Sequence, residues 1–88
     1  MQGLNKIGYY RTMKYILILH LCSIITQQCP ESQVTGLMFK SHYDCAVGGY
    51  AVSLNTFKML KEDDYYGLDR VNNERIAIKF ECKEMPTT

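Results

Sequence analysis

Residues 15–25, YILILHLCSII, form a short apolar run near the start of the 88-residue chain. The residues before this run carry three positive charges and no negative one: Lys6, Arg11 and Lys14. All nine Asp and Glu residues come after Cys29. A basic segment followed by a short apolar segment is typical of a secretory signal peptide. We therefore predict a helical signal peptide at residues 1–28, with Met13 as an alternative start.

Cleavage of this signal is expected between residues 23 and 28. The apolar run has about 11 residues, whereas a helix needs roughly 20 to span a bilayer, so we expect no membrane anchor in the mature chain. The alternative is a buried apolar helix in a cytosolic domain. With export, residues 29–88 form one small secreted, extracellular domain.

The charge of this predicted mature domain argues against nucleic acid as a partner. It contains seven Lys and Arg residues against nine Asp and Glu residues, and no basic cluster. Binding to nucleic acid needs a basic surface that displaces counterions from the phosphates.

Four cysteines occur in the chain, and in an oxidising compartment they are expected to form disulfides. We predict a Cys45–Cys82 bridge, which closes a long loop and stabilises a small domain. Loss of Cys22 with the signal would leave Cys29 either unpaired or linking two chains in a homodimer. Cleavage upstream of Cys22 would instead allow a Cys22–Cys29 bond. His42 alone near Cys45 does not make a metal site, and no metal or cofactor is expected.

Three segments have the composition of β-strands: residues 33–40, 49–57 and 75–83. The last is the clearest, because alternate positions are apolar and place four side chains on one face: Ile76, Ile78, Phe80 and Cys82. The second follows a Gly48-Gly49 turn signal and has the same period.

Residues 53–61 also fit helical spacing, with Ser53 as an N-cap, but we favour a strand there because Thr56 and Phe57 have high strand propensity. A polar loop is predicted at residues 62–74. The pattern as a whole predicts an all-β domain, a small antiparallel sheet that follows the signal helix.

The polar loop holds the candidate ligand-binding residues: Asp63, Asp64, Tyr65, Tyr66, Asp69 and Asn72. Tyrosine rings beside carboxylates can stack on sugars or anchor a protein partner, and ordinary loop packing is the alternative. The carboxylates lack the spacing of an EF-hand calcium loop. No serine lies in a G-x-S-x-G setting and the chain is too short to build a deep cleft, so we expect no catalytic residues and no enzyme activity.

The segment between the two bridged cysteines combines several motifs: Cys45, Gly49-Tyr50-Ala51, Gly67-Leu68-Asp69, Asn72-Asn73 and an alternating strand that ends at Cys82. This combination resembles one repeat of the vitelline membrane outer layer protein I family. The resemblance implies a β-prism, or a fragment of one, in an egg coat or mucosal layer, with lectin-like carbohydrate binding.

Taken together, these patterns predict a secreted extracellular structural or binding module. Its partner would be an extracellular protein or a glycan, bound through the loop at residues 63–73. The alternative is a small disulfide-stabilised effector or inhibitor-like protein.

Overall fold

A computed structural model describes residues 13–86; the predicted basic segment with Lys6 and Arg11 lies outside this range. Three strands and two α-helices follow one another along the chain: β1 (Met13–Ser23), β2 (Gln28–Phe39), α1 (His42–Met59), α2 (Gly67–Glu74) and β3 (Ile76–Pro86). A short 3₁₀ turn (Leu60–Glu62) continues α1. The strands form one antiparallel sheet in the order β2-β1-β3, and α1 packs on one of its faces.

Strand β1 lies in the middle of the sheet, so the predicted signal helix is wrong for residues 13–23. Leu17, Leu19 and Leu21 are buried on the face that α1 and its neighbours cover. Ile16 and Ile18 alternate with them and therefore lie on the opposite face. A central strand that is apolar on both faces reads as a continuous apolar run, which periodicity alone cannot distinguish from a helix.

The pairing of β1 bears directly on the predicted cleavage. It pairs with β3 along its whole length, from Met13 opposite Pro86 to Ser23 opposite Ile76, and with β2 on its other side. Cleavage between residues 23 and 28 would remove the strand that β2 and β3 share. Such cleavage remains a prediction, and it is incompatible with this fold.

Helix α1 occupies the segment where a strand was predicted at residues 49–57. Ser41 caps its start, since its Oγ accepts a hydrogen bond of 3.1 Å from the Asp44 N–H. Gly48 and Gly49, which were predicted to form a turn, lie inside the helix where it contacts the sheet. A Cβ at Gly48 would lie 2.7 Å from Cζ of Phe39, and one at Gly49 would overlap the Phe80 ring. Their role is to permit close packing of helix on sheet.

The antiparallel sheet is confirmed, but the all-β class is wrong because α1 and α2 lie where a strand and a loop were predicted. The predicted strands at residues 33–40 and 75–83 correspond to parts of β2 and β3. The described residues form a single sheet, not the several sheets of a β-prism.

Two disulfides cross-link the structure. The predicted Cys45–Cys82 bond joins α1 to β3 with the two Cα atoms 6.0 Å apart, and Cys45 is fully buried beside Leu17 and Leu19. Cys22 and Cys29 form the second bond, across the β1–β2 hairpin. This is the pairing expected if Cys22 is retained, and with Cys29 bonded within the chain its sulfur is not available to link two copies. The possible homodimer through Cys29 stays a prediction. All cysteines in the described residues are paired.

The two disulfides should contribute unequally to stability. Their cysteines are separated by 37 and 7 residues, for which loop closure predicts about 4 and about 2 kcal/mol. We expect Cys45→Ala/Cys82→Ala to lower the free energy of unfolding more than Cys22→Ala/Cys29→Ala, as measured by denaturant titration. Equal losses, or the reverse order, would contradict this assignment of the main cross-link.

Truncation tests the central position of β1. A chain that begins at Gln28 lacks the strand that both neighbours pair with, whereas a chain that begins at Met13 retains it. We expect only the longer chain to give a cooperative melt by circular dichroism. Intact mass of the protein from its native source identifies which N-terminus is used. A cooperative melt of the shorter chain would show that the sheet does not need β1.

Candidate functional site

A surface cleft of about 160 Å³ lies where α2 meets the end of β1 and the start of β2. Its polar lining combines hydroxyl, amide, guanidinium and carboxylate groups: Ser23, Thr26, Gln28, Arg70, Asn73 and Glu74. Its apolar lining is Ile25, Pro30, Tyr66 and Ile76. Among the described residues, this cleft is the place where a sequence-predicted aromatic residue meets converging polar side chains.

Tyr66 belongs to both the cleft and the hydrophobic core. Its side chain is 8% exposed and packs in a cluster with Leu60, Val71 and Ile76. The hydroxyl donates a 2.9 Å hydrogen bond to Oε1 of Glu31 on β2. Burial and this bond to a carboxylate raise the pKa of Tyr66 to about 12, because both disfavour the phenolate. The hydroxyl therefore remains a donor at neutral pH.

Arg70 is held in a fixed position at the edge of the cleft. Its guanidinium carbon lies 4.4 Å from the centre of the Tyr65 ring and 4.9 Å from that of Tyr66, which is cation–π geometry. Its Nε donates to Oε2 of Glu74 at 2.9 Å, and one Nη donates to the Tyr65 carbonyl at 3.4 Å. Hydrogen bonds to Tyr65 and Glu74 raise the pKa of Arg70, so it stays charged.

Two hydrogen bonds fix the wall of the cleft where β1 ends against the C-terminus of α2. The Ser23 Oγ donates to the Glu74 carbonyl at 2.8 Å, and the Ile24 N–H donates to the Arg75 carbonyl at 3.1 Å. Arg75 ends α2 in the left-handed conformation, with φ of 51°. The cleft is therefore formed between segments that are distant in sequence but tied together through the backbone.

The structure brings only part of the predicted ligand-binding set to this cleft. Tyr66 lines it, and Tyr65 is exposed beside it, with the two rings edge-on and their centres 5.0 Å apart. The remaining predicted residues are exposed and lie outside the cleft: Asp63, Asp64, Asp69 and Asn72. Asp63 instead accepts a hydrogen bond of 3.3 Å from the Tyr65 N–H and so orders the turn before α2.

The polar residues that line the cleft were not among those predicted from the sequence. Arg70 and Glu74 have the i,i+4 spacing of an ion pair on a helix, but that spacing carries no information for a segment read as a loop. Ser23, Thr26 and Gln28 lie in the predicted signal segment, and its removal would take them out of the mature chain.

A second polar arrangement crosses the sheet at His20. Its Nδ1 lies 2.7 Å from the Ser32 Oγ on β2, and its Nε2 lies 3.2 Å from Oε1 of Glu81 on β3. A histidine between a hydroxyl and a carboxylate can activate a nucleophile. Here Ser32 and Glu81 are both exposed, and the part of the chain that the structure describes forms no wall over this sheet face to exclude water. We interpret the row as a cross-strand contact that links the three strands.

Comparison with known proteins does not assign the chain to a family. No family model, curated protein or solved structure matches the chain. The resemblance to the vitelline membrane outer layer protein I family therefore stays a prediction. Within residues 13–86, no group of three or more His, Cys, Asp or Glu side chains is placed to hold a metal ion. The helices in this range are too short or too polar to cross a membrane.

The environment of Tyr66 predicts a loss of stability at alkaline pH. Its pKa is 10.0 without the fold and about 12 within it, so the folded chain holds the proton more tightly. The resulting stabilisation is complete below pH 10 and is lost as the pH rises towards 12. Between about pH 9 and pH 11, the free energy of unfolding should fall by about 1 kcal/mol more in the native chain than in Tyr66→Phe.

Urea titrations of both chains across this pH range measure the difference. Subtraction of the two profiles isolates the contribution of the Tyr66 hydroxyl. A matched Tyr65→Phe chain should keep this excess loss, because it retains the Tyr66 hydroxyl and its bond to Glu31. If the free energy of unfolding falls equally with pH in the native chain and in Tyr66→Phe, the raised pKa of the Tyr66 hydroxyl is wrong.

Proposed function

We propose that the chain is a small secreted binding module with lectin-like contacts, which takes a single sugar ring or a similar hydroxyl-rich ligand in the cleft beside α2. The observation that carries this proposal is the combination, within one cleft, of planar polar groups and an apolar floor. Arg70, Asn73 and Gln28 offer donors and acceptors, while Tyr66 and Pro30 offer apolar contact.

The chemistry of a sugar ring suits this lining. A pyranose presents hydroxyl groups at its rim and C–H groups on its faces, so it needs directional hydrogen bonds together with apolar surface. Arg70 and Glu74 supply a charged donor and acceptor that already hold each other in place 2.9 Å apart. Groups fixed before binding lose little conformational entropy when the ligand arrives.

The size of the cleft limits the ligand. Sites for drug-sized molecules enclose about 300–1,000 Å³. A cleft of about 160 Å³ is smaller, and it suits one ring of a larger glycan whose remaining part extends into solvent. Affinity at a single site of this kind should be weak.

The two disulfides support an extracellular setting. Disulfides persist in oxidising compartments and are rare in the cytosol. A coat or mucosal layer, as implied by the family resemblance, is a setting in which many copies of a weak sugar-binding module act together on a repetitive ligand.

Asn73 and Asn72 offer a matched pair for testing the cleft. Both are exposed on α2, but only Asn73 lines the cleft. Loss of one neutral hydrogen bond costs about 0.5–1.5 kcal/mol, so Asn73→Ala should weaken binding roughly 2- to 13-fold. Asn72→Ala should leave binding unchanged.

A glycan array first identifies a ligand, and titration calorimetry then compares the two variants with the native chain. Arg70→Gln should also weaken binding, because it removes the charged donor. Absence of binding to any glycan, or equal effects of Asn73→Ala and Asn72→Ala, would reject the proposed site. If the chain binds a protein partner and no glycan, it is still a binding module, but the proposed sugar ligand is wrong.

A further inference from the structure

The outward face of α1 carries a continuous row of large apolar side chains. Five of them are exposed to solvent, by 75, 52, 72, 57 and 38% respectively: Tyr43, Val47, Tyr50, Leu54 and Phe57. They follow one another at intervals of four, three, four and three residues. We call these five residues the α1 stripe.

The opposite face of α1 is apolar as well, because Cys45, Gly49 and Val52 pack on the sheet. An apolar face of a helix is normally covered by other structure, so a helix with two opposite apolar faces is normally covered on both. In the described chain the sheet covers only one side of α1, so the apolar side chains of the stripe remain in contact with solvent.

The spacing of the stripe indicates what covers it. Alternating intervals of four and three residues define the a and d positions of a coiled coil, in which two helices interlock along their apolar seams. An isolated seam of this length would be short. Here α1 is already folded and held to the sheet by the Cys45–Cys82 bond, so association need not supply the energy of helix formation.

Charge determines the orientation of the partner helix. In α1, Asp44 lies in the first turn and Lys58 in the last, and both are exposed. These two residues lie 14 positions apart, which is two heptads, so both occupy the same flank of the seam. An antiparallel copy of α1 brings Asp44 of one chain beside Lys58 of the other, at both ends of the contact.

We infer that the α1 stripe is the interface of a homodimer, in which α1 packs antiparallel against α1 of a second copy. The stripe then contacts itself across a two-fold axis, as in the commonest type of homo-oligomer. Tyr50 lies near this axis. Its ring packs nearly perpendicular to the ring of Phe80, with the two ring centres 4.8 Å apart, and this contact holds Tyr50 in place. The inference is independent of the cleft, which α1 does not line.

Leu54 and Leu68 provide a matched pair of substitutions. Leu54 is 57% exposed in the stripe, and Leu68 is 52% exposed on α2. Because both side chains are exposed, a glutamate at either position should be tolerated in the folded chain. We expect Leu54→Glu to raise the dimer dissociation constant at least tenfold and Leu68→Glu to leave it unchanged.

Sedimentation equilibrium over a wide concentration series measures this constant, and circular dichroism checks that each variant is folded. A native chain that stays monomeric at the highest concentration would overturn the inference. Equal dissociation constants for the two variants would also overturn it.

Charge reversal tests the antiparallel orientation. In Asp44→Lys alone, or Lys58→Asp alone, both ends of the dimer would bring like charges together and the dimer should weaken. An equimolar mixture of the two variants should associate more tightly than either alone, because opposite charges then meet at both ends. Association of the mixture no tighter than that of the separate variants would reject the antiparallel arrangement.

Discussion

The fold depends on a central strand that is apolar on both faces. Leu17 and Leu19 are almost fully buried on the side covered by α1, and β1 hydrogen-bonds to a neighbour along each edge. Strands β2 and β3 do not touch each other in the sheet, so β1 holds them together. The end of β1 also places Ser23 against α2, which makes the candidate cleft a consequence of the same strand.

The Cys45–Cys82 bond adds a second constraint, since it fixes α1 across the covered face of the sheet. The absence of side chains at Gly48 and Gly49 allows the helix to approach Phe39 and Phe80 closely. A single helix on a three-stranded sheet covers only one layer, however. Among residues 13–86 nothing covers the outward face of α1, and the packing of these residues alone does not account for its apolar composition.

Sequence patterns predicted β3 and its bridged cysteine because a half-buried strand alternates apolar and polar residues. They failed for α1 because a helix that is apolar on two opposite faces can imitate that alternation. Tyr50 and Leu54 point outward one helical turn apart, while Val52 between them faces the sheet. Tyr66 was predicted as a site residue, but part of the cleft that it lines comes from residues 23–30, and only the tertiary fold brings these to it.

The cleft and the α1 stripe lie on different elements, and their combination has a physical consequence. A small cleft makes few contacts, so one copy would bind the proposed sugar ring weakly. A two-fold dimer carries two clefts in one particle, and a repetitive glycan that engages the first raises the effective concentration of ligand at the second. Such a gain requires no additional contact within either cleft. Dimerisation through α1 would therefore convert a weak single site into a useful one without enlarging an 88-residue chain.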